Sequence, residues 1–322
     1  MGSHFVKYIL NKYHGYKVVV FDKLTYAGNP DNLREVEADA RYTFAHGDIC
    51  KKEQLEEVMK DYPVDVIVNY AAETHVDRSI MDPDAFLRTD VLGVRNLLEV
   101  TKKFGLKKMV EISTDEVYGS IERGSFTEES PFMPNSPYSA SKAGGDLLCR
   151  AYFVTYNTPV VVTHSCNFYG THQYPEKVIP LFITNLLEGK KVPLYGDGKN
   201  VREWIHTIDH CRAIDAVVHK ASSGSVYNIG TGMELNNLEL TNLILKYVGV
   251  GTDMIEYVKD RPGHDRRYAI DCSKIKRELG WETRKSFEEG LKETVEWYVK
   301  NEQWWKKLKS GEYLEYYRRQ YI

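Results

Sequence analysis

Residues 91–112 read VLGVRNLLEVTKKFGLKKMVEI, a long amphipathic segment followed by a short apolar run. From Val91 to Phe104 the apolar side chains recur at helical spacing, which is typical of a helix packed on one face. Met109 to Ile112 is instead typical of a short strand buried on both faces. A helix followed closely by a buried strand is the repeating unit of a doubly wound sheet.

The same alternation extends through the first half of the chain. Further buried strands are predicted at Val18 to Phe21, Val64 to Val68 and Pro159 to Thr163. Amphipathic helices are predicted at Phe5 to Tyr13, Glu53 to Lys60 and Ser139 to Tyr156. Strands and helices that alternate at this spacing predict an α/β fold with a Rossmann-like doubly wound parallel sheet.

After about Gly170 the chain changes to loops rich in Gly, Pro, Tyr and charged residues. Helices are predicted at Ile208 to Ala221, Asn237 to Val248 and Phe287 to Val299, before an aromatic and basic tail, Trp304 to Tyr317. We expect residues 1–170 to form a cofactor-binding domain. Residues 171–322 should form mainly a smaller substrate-binding lobe, with some segments returning to the first domain and a cleft shared between the two.

The composition excludes several classes of protein. The net charge of the 322 residues is only −3 and the basic residues are dispersed, so neither nucleic acid nor a membrane surface is an expected partner. The five cysteines form no C-x-x-C pair, which argues against disulfides or a zinc site and indicates the reducing cytoplasm. No apolar run is long enough for a membrane span. A small-molecule enzyme without a metal is the best expectation.

The segment Asn135-Ser136-Pro137-Tyr138-Ser139-Ala140-Ser141-Lys142 carries one chemical signal. Ser136 is a good N-cap and Pro137 suits the first turn, so Tyr138 and Lys142 should lie one turn apart on one helix face. An ammonium beside a phenol favours the phenolate, which can then act as a base. Taken alone, the pair is equally explained as an ordinary helix start.

A second signal, Ser113-Thr114-Asp115-Glu116-Val117-Tyr118-Gly119, follows the predicted strand at Met109 to Ile112. Ligands of open parallel sheets bind beyond the carboxyl ends of the strands, where this segment delivers a hydroxyl and two carboxylates. One carboxyl can be an acid and the other a base if their surroundings separate their pKa values. A polar strand exit is the alternative explanation.

Together these residues resemble the extended short-chain dehydrogenase/reductase family, and the Asp115-Glu116 pair resembles its dTDP-glucose 4,6-dehydratases. The resemblance covers nearly the whole chain and includes DKLTYAGN at 22–29, AAETHVDRS at 71–79, YPEK at 174–177, PLYGDG at 193–198 and RPGHDRRY at 261–268. It implies a homodimeric NAD enzyme that dehydrates dTDP-glucose in deoxysugar biosynthesis, such as the rhamnose pathway. The catalytic residues it implies are Thr114, Asp115, Glu116, Tyr138 and Lys142.

The resemblance also implies binding residues. Asp22 ends the second strand of the fold, where a carboxylate accepts ribose hydroxyls and repels a 2′-phosphate, favouring NAD over NADP; the alternative is a turn Asp. The other cofactor residues implied are Lys23, Thr25, Asp48, Ile49, Ala71, Ala72, Glu73, Thr89, Tyr138 and Lys142, for some of which core packing is the rival explanation. The substrate residues implied are His75, Thr114, Asn167, Lys177, Val178, Pro193, Leu194, Tyr195, Arg202, Asn237, Arg261 and His264. Arginine and lysine suit a diphosphate, although singly each basic residue is as well explained as solvated surface.

The sequence departs from the family at two places. Members of this fold begin with a strand and a G-x-x-G-x-x-G loop for the pyrophosphate, of which only Gly2 and Ser3 could be the end. Three explanations remain: the natural chain starts upstream, the sequence is truncated, or residues 1–4 are left from cloning; we favour an upstream segment. His164 and Phe168 stand where the family more usually has Arg and Asn, so the cofactor contacts around Phe168 are in question.

Two other functions remain open. A UDP-sugar 4-epimerase would share Tyr138 and Lys142 but would not need Asp115 and Glu116. A non-catalytic nucleotide-sugar-binding protein is supported only by the missing phosphate loop.

Overall fold

The computed structural model describes residues 1–321 as an α/β protein. The strands are β1 Val18–Asp22, β2 Tyr42–His46, β3 Val66–Asn69, β4 Lys108–Thr114, β5 Val160–Ser165, β6 Asn167–Tyr169, β7 Val192–Tyr195, β8 Val201–His206, β9 Val226–Ile229, β10 Glu234–Asn236 and β11 Ile255–Val258. The helices are α1 Gly2–Lys12, α2 Lys52–Asp61, α3 Val76–Met81, α4 Asp84–Phe86, α5 Val94–Phe104, α6 Pro137–Tyr156, α7 Val178–Leu187, α8 Thr207–Lys220, α9 Asn237–Val248, α10 Ser273–Leu279, α11 Phe287–Lys300, α12 Glu302–Leu308 and α13 Glu312–Tyr321.

The main sheet is parallel and has the order β3-β4-β5-β9, while β1 and β2 pair parallel as a separate two-stranded unit. Parallel strands, joined by helices, confirm the predicted Rossmann-like class.

The register between β4 and β5 runs through six paired residues, from Met109 opposite Val160 to Thr114 opposite Ser165. All six residues of β5 and all but the first of β4 are buried, as expected for central strands covered on both faces. Alternate residues of β4 face the same side, so Glu111 and Ser113 both reach α6. This register determines the position of Thr114 at the end of β4.

Helix α6 begins where the sequence predicts. Ser136 is the N-cap in a capping box with Ser139, and Pro137 occupies the first turn. The helix predicted from Val91 is α-helical only from Val94, because a π-helical segment, Leu87–Gly93, precedes it. Gly145 lets this segment approach α6, since a Cβ there would lie 2.5 Å from the Asp90 carbonyl oxygen.

The second half of the chain contains short strands in addition to the predicted helices. Strands β6, β8 and β10 form one small sheet, and β7 and β11 form another. They enclose a separate apolar core with α7, α9 and α11, centred on residues such as Trp204 and Leu291. Strand β9 returns to the main sheet beside β5. Among the described residues, no helix combines the length and apolarity needed to cross a bilayer.

Candidate active site

The carboxyl ends of three parallel strands deliver the polar residues of the site. Strand β1 ends at Asp22, β3 ends just before Ala71 to Glu73, and β4 ends at Thr114. Burial raises the pKa of the Glu73 carboxyl, and the charge of Lys23, the residue after β1, acts to lower it. This edge is where open parallel sheets bind their ligands.

Thr114 holds the two acidic residues at the end of β4. Its hydroxyl accepts the Glu116 amide at 3.2 Å and donates to Asp115 Oδ1 at 3.3 Å. The hydroxyl thereby caps a short 3-10 helix, residues 115–118, that fixes the direction of both carboxylates.

Tyr138 and Lys142 lie one turn apart at the start of α6, 9% and 3% exposed. The Tyr138 amide donates to Ser79 Oγ at 3.1 Å, which ties the start of α6 to α3. Burial raises the pKa of the Tyr138 phenol and the Glu116 charge adds to the rise, whereas Lys142 and a hydrogen bond with Thr114 act to lower it. The phenol, the ammonium, the hydroxyl and the Glu116 carboxylate therefore converge.

Different charges surround the two carboxyl groups. Burial raises the pKa of Asp115, and the negative charges of Glu116 and Glu203 raise it further. Burial also raises the pKa of Glu116, but Arg261, Arg202 and Lys177 act to lower it. The charges that act on Asp115 are thus mainly negative and those that act on Glu116 mainly positive, which favours the neutral acid at Asp115 relative to Glu116, as an acid-base pair requires.

A wall of three cations faces Glu116. Arg202 stacks on the Tyr268 ring, 4.1 Å from its centroid, and donates to the Asp265 carbonyl at 3.0 Å. Arg261 Nε lies 3.6 Å from an Asp77 carboxylate oxygen, and its buried Nη1 has no hydrogen-bond partner among the described residues. Lys177 Nζ donates to the Thr74 carbonyl at 2.5 Å. Fixed donors of this kind suit a diphosphate.

Beside this wall lies the segment that the sequence predicts to hold the base. Pro193 and Leu194 are buried, and the Tyr195 hydroxyl donates to Asp77 Oδ2 at 3.1 Å. The His264 ring lies 6.0 Å from that of Tyr195, and burial lowers the His264 pKa to about 4. His75 is buried with its ring 5.1 Å from that of Tyr316.

Three other predicted substrate residues lie at β6 and at the starts of α7 and α9. Asn167 is in β6, where its buried Oδ1 has no hydrogen-bond partner in the described part of the chain. Val178 and Asn237 begin α7 and α9. Within residues 1–321 no hydrogen bond or ion pair joins Asn237 to the other predicted side chains, and its amide donates to the Asn200 carbonyl at 3.0 Å.

The predicted cofactor residues line the edge from β1 to β3. Asp22 is exposed, and its Oδ1 accepts the Leu24 amide at 2.7 Å, so it also orders the turn as the alternative explanation held. Lys23 Nζ lies 3.5 Å from Asp48 Oδ2, and Thr25 is exposed in the following loop. The Glu73 amide donates to Asp90 at 3.1 Å, and the Ala71 amide to Asn69 at 3.1 Å.

Ile49 and Thr89 are each 6% exposed, and Ala72 is half-buried after β3. Ile49 packs with Leu97 and other residues of an apolar cluster, so it has a core role beside any contact with a cofactor.

The sequence analysis missed several buried polar residues behind this site. Glu111 Oε1 accepts from Lys142 at 2.9 Å, and Asp90 accepts from the Ser141 hydroxyl at 2.8 Å. The sequence signal that could have identified Glu111 is the presence of a charged residue within the apolar run of β4. The departure at His164 places its ring between Asp146, 3.2 Å away, and the Tyr118 hydroxyl, 2.6 Å away. Phe168 packs against His210, with ring centroids 4.5 Å apart.

Comparisons with known proteins agree with this geometry. Residues 1–294 match the family described as GDP-mannose 4,6 dehydratase. The dTDP-glucose 4,6-dehydratase of Streptomyces niveus is 51% identical over 314 residues, which cover 96% of this chain and 93% of that protein. The crystal structure of DesIV, a dTDP-glucose 4,6-dehydratase from Streptomyces venezuelae with NAD bound, superposes with a TM-score of 0.93 at 51% identity, covering 95% of this chain and 96% of that one.

An epimerase is more distant. The UDP-glucose 4-epimerase of Thermotoga maritima superposes with a TM-score of 0.86 at 30% identity, covering 93% of this chain and 95% of that one. With these matches and the arrangement of Asp115 and Glu116, the chain belongs to the dTDP-glucose 4,6-dehydratase family of extended short-chain dehydrogenases/reductases.

Proposed function

We propose that the protein uses NAD to convert dTDP-glucose to dTDP-4-keto-6-deoxyglucose. The observation that carries the proposal is the pair of carboxyl groups beside Tyr138, of which Asp115 is surrounded mainly by negative charges and Glu116 mainly by positive ones. Elimination of water across C5 and C6 needs an acid and a base in addition to Tyr138, whereas epimerisation at C4 needs only Tyr138 with Lys142. The relatives with this name are about half identical along almost the whole chain.

The residues present fit NAD. The exposed Asp22 carboxylate ends β1, and the small side chains of Ala71 and Ala72 leave the backbone after β3 open to close approach. When bound, NAD accepts a hydride from C4 of the sugar and returns it to C6. Asp22, Lys23, Thr25, Asp48 and Ile49 would hold the adenosine end, and Ala71, Ala72, Glu73, Thr89, Tyr138 and Lys142 would hold the rest.

The first step belongs to Tyr138. Its phenolate takes the proton of the sugar 4-hydroxyl as the C4 hydride leaves, which produces a ketone at C4. Lys142 and Thr114 stabilise the phenolate, because both act to lower the pKa of this phenol. A bell-shaped dependence of activity on pH follows from this arrangement.

The ketone acidifies the proton on C5, and Glu116 removes it. The neutral Asp115 carboxyl protonates the departing 6-hydroxyl, so the C6–O bond breaks and water leaves. After hydride reaches C6, the protonated Glu116 returns its proton to C5. Tyr138 loses its proton to solvent and Asp115 regains one, which restores both groups for the next turnover.

The cation wall and its surroundings form the proposed substrate site. Arg202, Arg261 and Lys177 would bind the diphosphate, and the segment from Pro193 to Tyr195 would contact the base. The remaining substrate residues in this proposal are His75, Thr114, Asn167, Val178, Asn237 and His264. Residues 1–170 would thus bind the cofactor, and residues 171–322 mainly the substrate.

A product assay tests the function directly. The protein is incubated separately with dTDP-glucose, UDP-glucose and GDP-mannose in the presence of NAD, and the products are separated by chromatography and analysed by mass spectrometry. We expect a product lighter by one water from dTDP-glucose. An isomer of unchanged mass from UDP-glucose would favour the epimerase, and no turnover of any substrate would favour a binding protein.

We also propose a homodimer in the cytoplasm that serves deoxysugar biosynthesis, the rhamnose pathway included. Large apolar side chains on the π-helical segment and α6 are more than half exposed, namely Leu92, Leu147, Val154 and Tyr156. A patch of this kind on two adjacent helices suits a two-fold contact with a second copy. The free thiols of all five cysteines suit a reducing compartment.

A further inference from the structure

Glu111 lies in the middle of β4, three residues before Thr114, and is 1% exposed. Its two carboxylate oxygens accept hydrogen bonds from Lys142 Nζ at 2.9 Å and from Asn69 Nδ2 at 2.7 Å. A central strand covered on both faces normally carries apolar side chains at such a position. The Lys142 ammonium is therefore paired with the buried Glu111 carboxylate, which the mechanism above does not use.

Packing alone does not account for this pair. Desolvation makes a buried ion pair costly, and apolar side chains of similar size often stabilise a core equally well. A buried lysine without a counter-charge gives up its proton more readily, because the interior disfavours the charged form. Tyr138 depends on the charged form of Lys142, so a counter-charge behind this lysine has a chemical use.

We propose that Glu111 is a positioning residue, whose carboxylate keeps Lys142 protonated and fixes its ammonium beside Tyr138. The inference rests on the proposed function. Asn69 holds the second oxygen of Glu111 and so fixes the direction of the carboxylate. Ser113, two residues along the same face of β4, donates to Asp146 of α6 at 2.7 Å, so the strand anchors the helix at two successive turns.

Other charged groups also face Lys142. Asp90 approaches from the π-helical segment, and Asp146 and Tyr138 lie on α6 itself. Burial acts to lower the pKa of Lys142, but Glu111, Asp90 and Asp146 together raise it above its usual range. Glu111 is the group in direct contact with the ammonium, and its effect can be separated from the others by removing its charge alone.

The test is the pH dependence of kcat for dehydration in Glu111→Gln, which keeps the side-chain size. Loss of a negative charge lowers the pKa of both Tyr138, which sets the acid limb, and Lys142, which sets the alkaline limb. We expect the whole profile to move to lower pH, the alkaline limb by about 1 to 3 pH units. The KM for dTDP-glucose should stay unchanged, because Glu111 lies behind Lys142.

Two further variants complete the experiment. Glu111→Asp keeps the charge but withdraws it by one methylene, so an intermediate shift is expected, and this variant decides the question if Glu111→Gln does not fold. Asp215→Asn removes another buried carboxylate paired with a lysine, Lys12 at 2.5 Å, and should leave the profile in place. If the wild type is active and the pH profiles of the Glu111 variants do not move, the role of Glu111 is overturned but the proposed function is not. An inactive wild type would overturn the proposed function, and the inference with it.

Discussion

Glu116→Gln separates oxidation of the sugar from elimination of water. The substitution preserves the shape of the side chain, and the amide oxygen can still accept from the Tyr268 hydroxyl, which lies 3.3 Å from Glu116 Oε2. It removes the base for the C5 proton. A positioned general base contributes about 10²–10⁴-fold to a rate, so the barrier to elimination should rise by about 3–5 kcal/mol.

The first step should survive this change, because Tyr138, Lys142 and Thr114 are untouched. The Glu116 charge raises the pKa of the Tyr138 phenol, so its removal lowers that pKa and moves the acid limb of the oxidation step to lower pH. Oxidation at C4 without elimination should therefore lead to accumulation of reduced nicotinamide.

Rapid mixing with dTDP-glucose measures both events. Absorbance reports the reduced nicotinamide, and mass spectrometry of quenched samples reports loss of water. Asp215→Asn serves as the control for a general effect of losing a carboxylate. Elimination of water at the wild-type rate would refute the role given to Glu116. If neither C4 oxidation nor elimination of water occurred, Glu116 would instead be a structural residue of the whole site.

Three further outcomes are expected. Arg261→Ala should raise the KM for dTDP-glucose by about 10- to 150-fold, the equivalent of a lost charge-assisted hydrogen bond, in steady-state assays. It should also raise the pKa of Glu116 and move the acid limb of the elimination step to higher pH, because Arg261 is the foremost of the charges that act to lower that pKa. Burial lowers the pKa of His210 to about 3. As the pH falls, the unfolded state therefore binds a proton at this histidine before the folded state does. The free energy of unfolding should decline below about pH 6.5, by up to roughly 1.4 kcal/mol per pH unit. Urea titrations across pH should show this decline, and His210→Phe should make it less steep. Leu147→Lys combined with Val154→Lys should give a monomer in sedimentation experiments, and an unchanged sedimentation coefficient would place the dimer contact elsewhere.

Local signals were enough to predict four strands of the first half, β1, β3, β4 and β5, with α1, α2, α5 and the start of α6, but not β2, α3 or α4. Ser136 and Pro137 defined a helix start through capping chemistry, and the predicted bounds of α9, Asn237 to Val248, match the structure. The short strands of the second half were not predicted, since three or four residues carry too little periodicity to be told from a loop.

The pairing of Glu111 with Lys142 also escaped prediction. A single charged residue within an apolar run does not change the prediction of a buried strand, and its partner Lys142 lies 31 positions further along the chain. Such contacts depend on how a strand and a helix meet, which local patterns do not specify. The same reason explains why the cation wall could be named only by resemblance, although its members lie together around Glu116.

The register of β4 with β5 limits where the protein can tolerate insertions and deletions. Because side chains alternate along a strand, a slip of one residue would turn Glu111 and Ser113 away from α6 and carry Thr114 off the strand end. A single inserted or deleted codon within 108–114 should therefore abolish activity even if the fold survives. The exposed loop around Gly124, which ends no strand of the main sheet, should accept such length changes far more readily.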